Sequence, residues 1–398
     1  MPPRCRFAKI RKNQISICAE PFRLFFPIGI VASVIGVSLW PLLYAGWLGF
    51  YPAEAHARLM IEGFVGAFAI GFLGTAFPKM IGSPSLGRVE LTIILAAIVG
   101  CLVSHAGNFT AAGDSFFVFL WLFILAVLAI RLCFFRESLP PPGFVLAGMG
   151  VTAGLVGAII LLIGRVIQLS EFQRALGGLL LNEAFILGPI LGIGSFLFPR
   201  FFNPLEAGER RADGRRWGQR ARLAAIVGLL VLASYLSQAS GDLLWSPVLR
   251  AVLVGGYLLS QVGVFRRGAI SGSLSLLLRA AVFCLLLGIL ISGLFPMALP
   301  DVKHVFFIGG YGLLILAIAS RVVWGHSGNI EFAEGTRRPI TIILVVIGFA
   351  MATRVVAGFI PTIRVTHHIY AALLWITGVG IWSWAVLRYV RVADPEDD

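Results

Sequence analysis

Apolar residues fall in long blocks with almost no polar alternation, separated by short polar or Pro/Gly-rich punctuation. The blocks lie near 22–46, 56–78, 89–107, 115–135, 143–164, 174–199, 222–239, 247–265, 274–294, 302–323, 339–360 and 366–389. Most approach 20 residues, long enough for an α-helix to cross roughly 30 Å of hydrocarbon. In lipid a segment must bond its own backbone groups, and runs this long and evenly apolar do not suit barrel strands. Breakers separate them at Pro52, Gly82-Ser83-Pro84, Gly107-Asn108, Pro140-Pro141-Pro142, Asn203-Pro204 and Gly325-His326-Ser327-Gly328. The pattern predicts an all-α membrane protein of about twelve transmembrane helices, one polytopic domain over residues 1–398.

Composition agrees: 58% of residues are hydrophobic, 13% are charged and the mean hydropathy is +0.92, too little charge to cover a soluble surface. Charge placement adds an orientation. With the N-terminus inside, 25 of the 32 Lys and Arg residues fall on inner loops and tails. The outer segments hold Arg58, Arg165, Arg174, Arg250, Lys303, Arg354 and Arg364. That asymmetry predicts both termini in the cytoplasm. It also explains the net charge of +13, including Arg210, Arg211, Arg215, Arg216, Arg220 and Arg222 of the 206–222 loop, through topology and anionic lipid rather than nucleic acid. The first span is expected to act as an uncleaved anchor. The five cysteines (Cys5, Cys18, Cys101, Cys133, Cys284) form no C-x-x-C or C-x-x-C-H, so covalent c-type haem, a zinc ribbon and a disulfide framework lack support.

The chain also resembles itself. Glu62, Phe64, Gly71, Phe77, Pro78 and Lys79 in the second span match Glu183, Phe185, Gly192, Phe198, Pro199 and Arg200 in the sixth, all at an offset of 121 residues. A further 121 residues lead to His304, Phe306 and Arg321 in the tenth span. These spans are four helices apart and run in one direction, which predicts three four-helix pseudo-repeats near 22–140, 141–265 and 266–390.

The candidate chemistry is sparse and one-sided. Of six histidines, His56, His105, His304, His367 and His368 fall at the outer end of the predicted spans, and only His326 lies inside. A lone His at a helix end most often meets water or headgroups, but five on one face favour a ligand role for at least two. His56 with Met60, and Cys101 with His105, stand at i and i+4 on shared helix faces, pairs that suit copper as well as plain packing. Glu62 and Glu183 lie inside spans and require protonation or a cation such as Arg58, Arg165, Arg174, Lys303 or Arg354. They read equally as a proton or ion relay and as structural ion pairs, with Asn182 placed to bond across helices.

Several segments are similar to the NnrS family: Phe22-Arg23-Leu24-Phe25-Phe26, His56-Ala-Arg-Leu-Met60-Ile-Glu-Gly63-Phe64, Gly71-Phe-Leu-Gly-Thr75-Ala-Phe-Pro78, His304 with Arg321-Val-Val-Trp-Gly325-His326-Ser-Gly328, and Tyr370-Ala-Ala-Leu-Leu-Trp375. The resemblance covers most of the chain. It implies a bacterial inner-membrane protein of twelve helices, associated with haem and copper and with resistance to nitric oxide. The family motif H-A-H-E-M-L-x-G is interrupted here, because Arg58 and Leu59 stand where the second His and the Glu would be. Copper held by that second His would therefore lack a ligand.

A more distant resemblance is to the catalytic subunit of haem-copper oxidases and nitric oxide reductases, whose twelve helices form three groups of four. His56, Met60 and Gly71 resemble its second-helix H-G-x-x-M motif, and His304 followed by Gly310 resembles the second His of its tenth-helix H-x-H, with Val302 at the first. Spans six and seven contain no His, so a binuclear oxygen- or nitric-oxide-reducing centre of that pattern is not implied. The resemblance implies one bis-His haem b, with His56 and His304 as ligands and Arg58 or Lys303 beside the propionates. His367 or His368 is the substitute ligand. A quinone or a periplasmic redox partner would fit such a site. The residues leave open whether the chain is an enzyme, and two other classes remain: a permease with intramembrane carboxylates, and a cofactor-free assembly or scaffold protein.

Overall fold

The computed structural model describes residues 16–202, 216–262, 272–295 and 299–393. Arg210, Arg211 and Arg215 of the basic loop lie outside the described residues. The protein is an all-α membrane protein, and eleven helices among the described residues are long and apolar enough to cross a bilayer. In chain order, and with one further helix included, they are α1 (Phe22–Tyr44), α2 (Ala53–Ile81), α3 (Arg88–Ala106), α4 (Thr110–Phe135), α5 (Phe144–Ile163), α6 (Glu171–Leu197), α7 (Trp217–Ala239), α8 (Trp245–Val262), α9 (Ser273–Leu294), α10 (Pro300–Gly325), α11 (Arg338–Phe359) and α12 (Arg364–Ala385). The further helix is α8, whose hydropathy is lowered by Arg250, Gln261 and two serines.

Local chemistry sets several ends. Ser170 caps α6, its hydroxyl accepting from the Gln173 backbone N–H at 3.2 Å, while its own backbone N–H donates to Gln173 Oε1 at 2.9 Å. Gly82 ends α2 in a left-handed conformation, φ +68°, which a side chain rarely adopts.

Three helices form the interior. The most apolar stretches of α2, α6 and α10 are 89%, 78% and 72% buried, against 28–50% for the other spans, so α2, α6 and α10 are ringed by protein and the rest face lipid. All three carry a π-helical segment near the histidine-bearing end: Leu59–Val65, Leu180–Ala184 and Val305–Gly312. A π-turn inserts a residue and re-aims the side chains around it, a device frequent at functional sites. Glu62 and Glu183 each sit inside one, and His304 immediately precedes the third.

Small residues permit close crossings. A Cβ at Gly188 of α6 would lie 2.5 Å from Gly150 Cα of α5, so these helices touch backbone to backbone. The start of α1 and the segment after α12 meet at one end of the bundle. There Arg23 of α1 donates to the carbonyls of Val390, at 2.5 Å, and Val392, at 2.6 Å, beyond α12, and to His326 at 2.8 Å.

Candidate functional site

At the other end, α1, α2, α6, α10, α11 and α12 enclose a cavity of about 550 Å³. His56, His304 and His368 line it together with Met60, Asn182, Glu183, Arg174, Lys303 and Arg354, and its apolar wall includes Trp40, Phe64, Phe307 and Trp375. A second cavity of about 640 Å³ opens at the opposite end, between Pro140, Trp217 and Gln261, and no His, Cys, Asp or Glu among the described residues lines it.

The imidazoles are held by one ring nitrogen. His56 Nδ1 lies 2.9 Å from the Gly36 carbonyl, and His304 Nδ1 lies 2.8 Å from the Pro300 carbonyl. A carbonyl can only accept, so both donate from Nδ1 and the neutral rings carry the lone pair on Nε2. In a metal-ligating His, a bond of this kind at the other ring nitrogen fixes the tautomer and the ring orientation. The Gly36 carbonyl belongs to α1 and the Pro300 carbonyl to the first turn of α10. His368 differs, pairing Nδ1 with the Tyr44 hydroxyl at 2.8 Å and leaving Nε2 buried with no partner among the described residues. Trp40 lies edge-on between His56, at 6.0 Å, and His368, at 5.2 Å. His367 does not line the cavity.

Glu183 on the cavity wall is ion-paired to Lys303 at 2.6 Å and to Arg250 at 3.4 Å. Arg250 is fully buried, bonds Ser234 Oγ at 3.0 Å and Gln238 Oε1 at 2.8 Å, and lies 3.5 Å from the centre of the Tyr235 ring. Arg354 pairs with Asp301. Arg174 reaches the cavity with no carboxylate partner among the described residues, and the Asn182 carbonyl oxygen has no bonding partner.

Arg58 and His105 stand apart from this cavity. Arg58 Nε meets Asp114 at 2.7 Å and Glu62 at 3.3 Å, so its charge is engaged away from the histidines. His105 Nε2 lies 2.8 Å from Glu62 Oε2, and Cys101 Sγ lies 3.6 Å from the same oxygen. Glu62, Cys101 and His105 have ligand atoms within 4.8 Å of one another, the grouping a small ion would need. In this arrangement the imidazole and carboxylate are bonded to each other, and a divalent ion among them would part that bond and meet the Arg58 cation. Both carboxylates flagged by the sequence, Glu62 and Glu183, point into the bundle, and each has a cation beside it. Sequence reasoning missed Asp114, one residue short of its predicted span, and Arg250, counted there as a helix-end charge.

At the end of the bundle where α1 begins, Glu20 meets Arg23 and His326 Nδ1, both at 2.5 Å. Burial raises the Glu20 carboxyl, but the hydrogen bonds and charges of His326 and Arg23 outweigh it and hold the group down at about 2, against an ordinary 4.5. A folded-state value below the unfolded one gives stability that is full above about 4.5 and lost as pH falls toward about 2. Pepsin cleavage of the 386–393 segment is therefore expected to rise steeply across that window, and the Glu20→Gln protein to show a flatter profile. Constant protection through the window would contradict this.

The family described as NnrS protein matches residues 16–391, nearly the whole chain. No curated protein matches it.

Proposed function

The chain belongs to the NnrS family, and from that premise we propose that it is a haem b protein of the bacterial inner membrane that serves the nitric-oxide response by electron transfer. The observation that carries this reading is the convergence of His56 and His304, from helices 248 residues apart in sequence, on one cavity with Nε2 left as the basic nitrogen of each ring. The cavity has a size usual for a cofactor site.

The residues suit the group. His56 and His304 would hold the iron from two sides, with His368 as the third imidazole in reach of the cavity. Arg174 and Lys303 would neutralise the propionates, Arg174 having no carboxylate partner among the described residues. Trp40, Phe64, Phe307 and Trp375 on the cavity wall would keep water from the macrocycle. A haem with two imidazoles supplies one-electron chemistry at a saturated, low-spin iron, whose potential follows ligands, hydrogen bonds and burial. The chain's own contribution is to fix both rings through the Gly36 and Pro300 carbonyls and to place cations at the rim. Arg58 stands where the family motif has its second His and is engaged by Asp114 and Glu62, so the reading assigns no copper to that position.

With both termini cytoplasmic, the cavity faces the periplasmic half of the membrane, where a quinone or a periplasmic redox protein could exchange electrons. The test is the absorption spectrum of protein purified from cells supplied with haem precursor, with haem extracted for stoichiometry. One haem b per chain and a low-spin reduced spectrum are expected. Protein that is folded, monodisperse and colourless would overturn the reading.

A further inference from the structure

The cavity at the end opposite the histidines has no part in the haem reading. It holds about 640 Å³, within the range of a ligand site. Its inner part lies within the spans, since Tyr257 stands more than one turn before the end of α8 and Phe196 belongs to the last turn of α6. Its outer part reaches the level of the connecting segments, where Pro140 and Arg216 line it. A site that runs from span depth to loop level fits an amphiphile lying in the membrane with its polar head at the surface.

One wall is stiff and apolar. Three consecutive prolines, Pro140 to Pro142, have fixed φ angles and no N–H to offer. The Trp217 ring is held against them by its Nε1–H, which donates to the Pro140 carbonyl at 2.8 Å. The opposite character comes from the start of α7, where Arg216 and Arg220 stand four residues apart and so rise on one side of the helix. No Asp or Glu among the described residues lines the cavity. Two of its hydroxyls are engaged locally, Ser195 with the Gly192 carbonyl at 2.8 Å and Ser138 with the Met80 carbonyl at 3.0 Å. A guanidinium presents five N–H donors in a planar fork that matches phosphate oxygens in pairs. Each arginine can therefore keep a contact within the protein and still meet a phosphate.

We propose that this cavity binds one anionic glycerophospholipid, with its phosphate at Arg216 and Arg220 and an acyl chain along the wall of Pro140, Trp217 and Phe196. Basic pockets between transmembrane helices suit head groups of this kind. The charge pattern sets the selectivity. Both cations meet the phosphate, and with no acidic side chain among the described lining residues nothing there meets the ammonium of a zwitterionic head. Free phosphate satisfies the arginines but leaves the apolar wall uncovered, so it binds more weakly than the lipid. The inference is independent of the haem reading, because the two cavities lie at opposite ends of the bundle and share no lining residue.

Native mass spectrometry of the full chain tests this. The protein is delipidated in detergent and mixed with phosphatidylglycerol, phosphatidylcholine or inorganic phosphate. The expected result is one phosphatidylglycerol per chain that survives collisional activation strong enough to strip phosphatidylcholine, and that inorganic phosphate does not displace. The double variant Arg216→Gln with Arg220→Gln is expected to weaken this binding about tenfold or more, through loss of charged hydrogen bonds. Arg222→Gln is the control. Arg222 is an exposed cation of the same helix that lies outside the cavity and bonds the Gly218 carbonyl at 3.3 Å, so its loss is expected to change nothing. Ser260→Trp, at an exposed position on the cavity rim, fills the space and leaves every charge in place. It is expected to abolish the bound lipid, and it serves if the arginine variant fails to fold. Equal retention of phosphatidylcholine and phosphatidylglycerol overturns the proposal, as does displacement by inorganic phosphate. So does a phosphatidylglycerol that stays bound in the cavity variants that fold.

Discussion

Purified His56→Ala and His304→Ala proteins are expected to lose the low-spin haem spectrum, while His367→Ala retains it. In the proposed site the His56 and His304 imidazoles would each bond the iron itself, so removing one is a larger perturbation than loss of a residue that bonds only to a ligand, which typically lowers metal affinity about 10–100-fold. The two carbonyl bonds, 2.9 Å to Gly36 and 2.8 Å to Pro300, hold both rings in the tautomer a metal requires. His367 lies outside the cavity lining and has no such place. His368→Ala is expected to keep the low-spin spectrum with a shifted potential, because its Tyr44-bonded ring faces the same cavity. Absorption spectra of the four variants decide the matter. A His304→Ala protein with an unchanged spectrum, beside a His368→Ala protein that has lost it, would move the second ligand to α12 and sink the pairing.

The second large effect concerns stability. Arg250→Leu is expected to destabilise the bundle by about 3–5 kcal/mol, the usual result of removing one partner of a buried ion pair. Arg250 has no exposed surface, and its loss leaves Ser234, Gln238 and one side of Glu183 without their bonds. Adding Glu183→Gln should restore part of the loss, since the carboxylate charge is then gone and Lys303, 19% exposed on the cavity side, can be solvated. Thermal unfolding of detergent-solubilised protein measures both. A double variant no more stable than Arg250→Leu alone would show that the ion pair is not the source of the effect.

Much of the architecture was legible in the chain because the bilayer imposes one simple demand, long apolar runs with their backbone bonded internally. The blocks at 56–78, 174–199 and 302–323 became α2, α6 and α10, and the 121-residue match drew attention to the three helices that form the interior. Interior position itself was not legible, since lipid-facing and protein-facing helices are about equally apolar. The π-helical segments were invisible for another reason: which residue bulges depends on neighbours from other helices. Arg250 shows the limit most clearly. Near the start of a run, a lone cation reads as a helix-end charge, and only the meeting of α6, α7 and α8 makes it the buried partner of Glu183. Asp114 was missed for the same reason, because its partner Arg58 lies 56 residues away. The sequence could group five histidines on one face but could not separate His105, bonded to Glu62, from His56, His304 and His368 around the cavity.

The central claim is that two histidines of this chain flank one iron. Pulsed electron paramagnetic resonance of the oxidised protein, with histidine alone labelled by nitrogen-15, counts the imidazole nitrogens bound to the iron directly. Two labelled nitrogens are predicted in the parent protein, falling to one or none in His56→Ala and in His304→Ala. A single labelled nitrogen in the parent, or two that persist in both variants, would contradict the account.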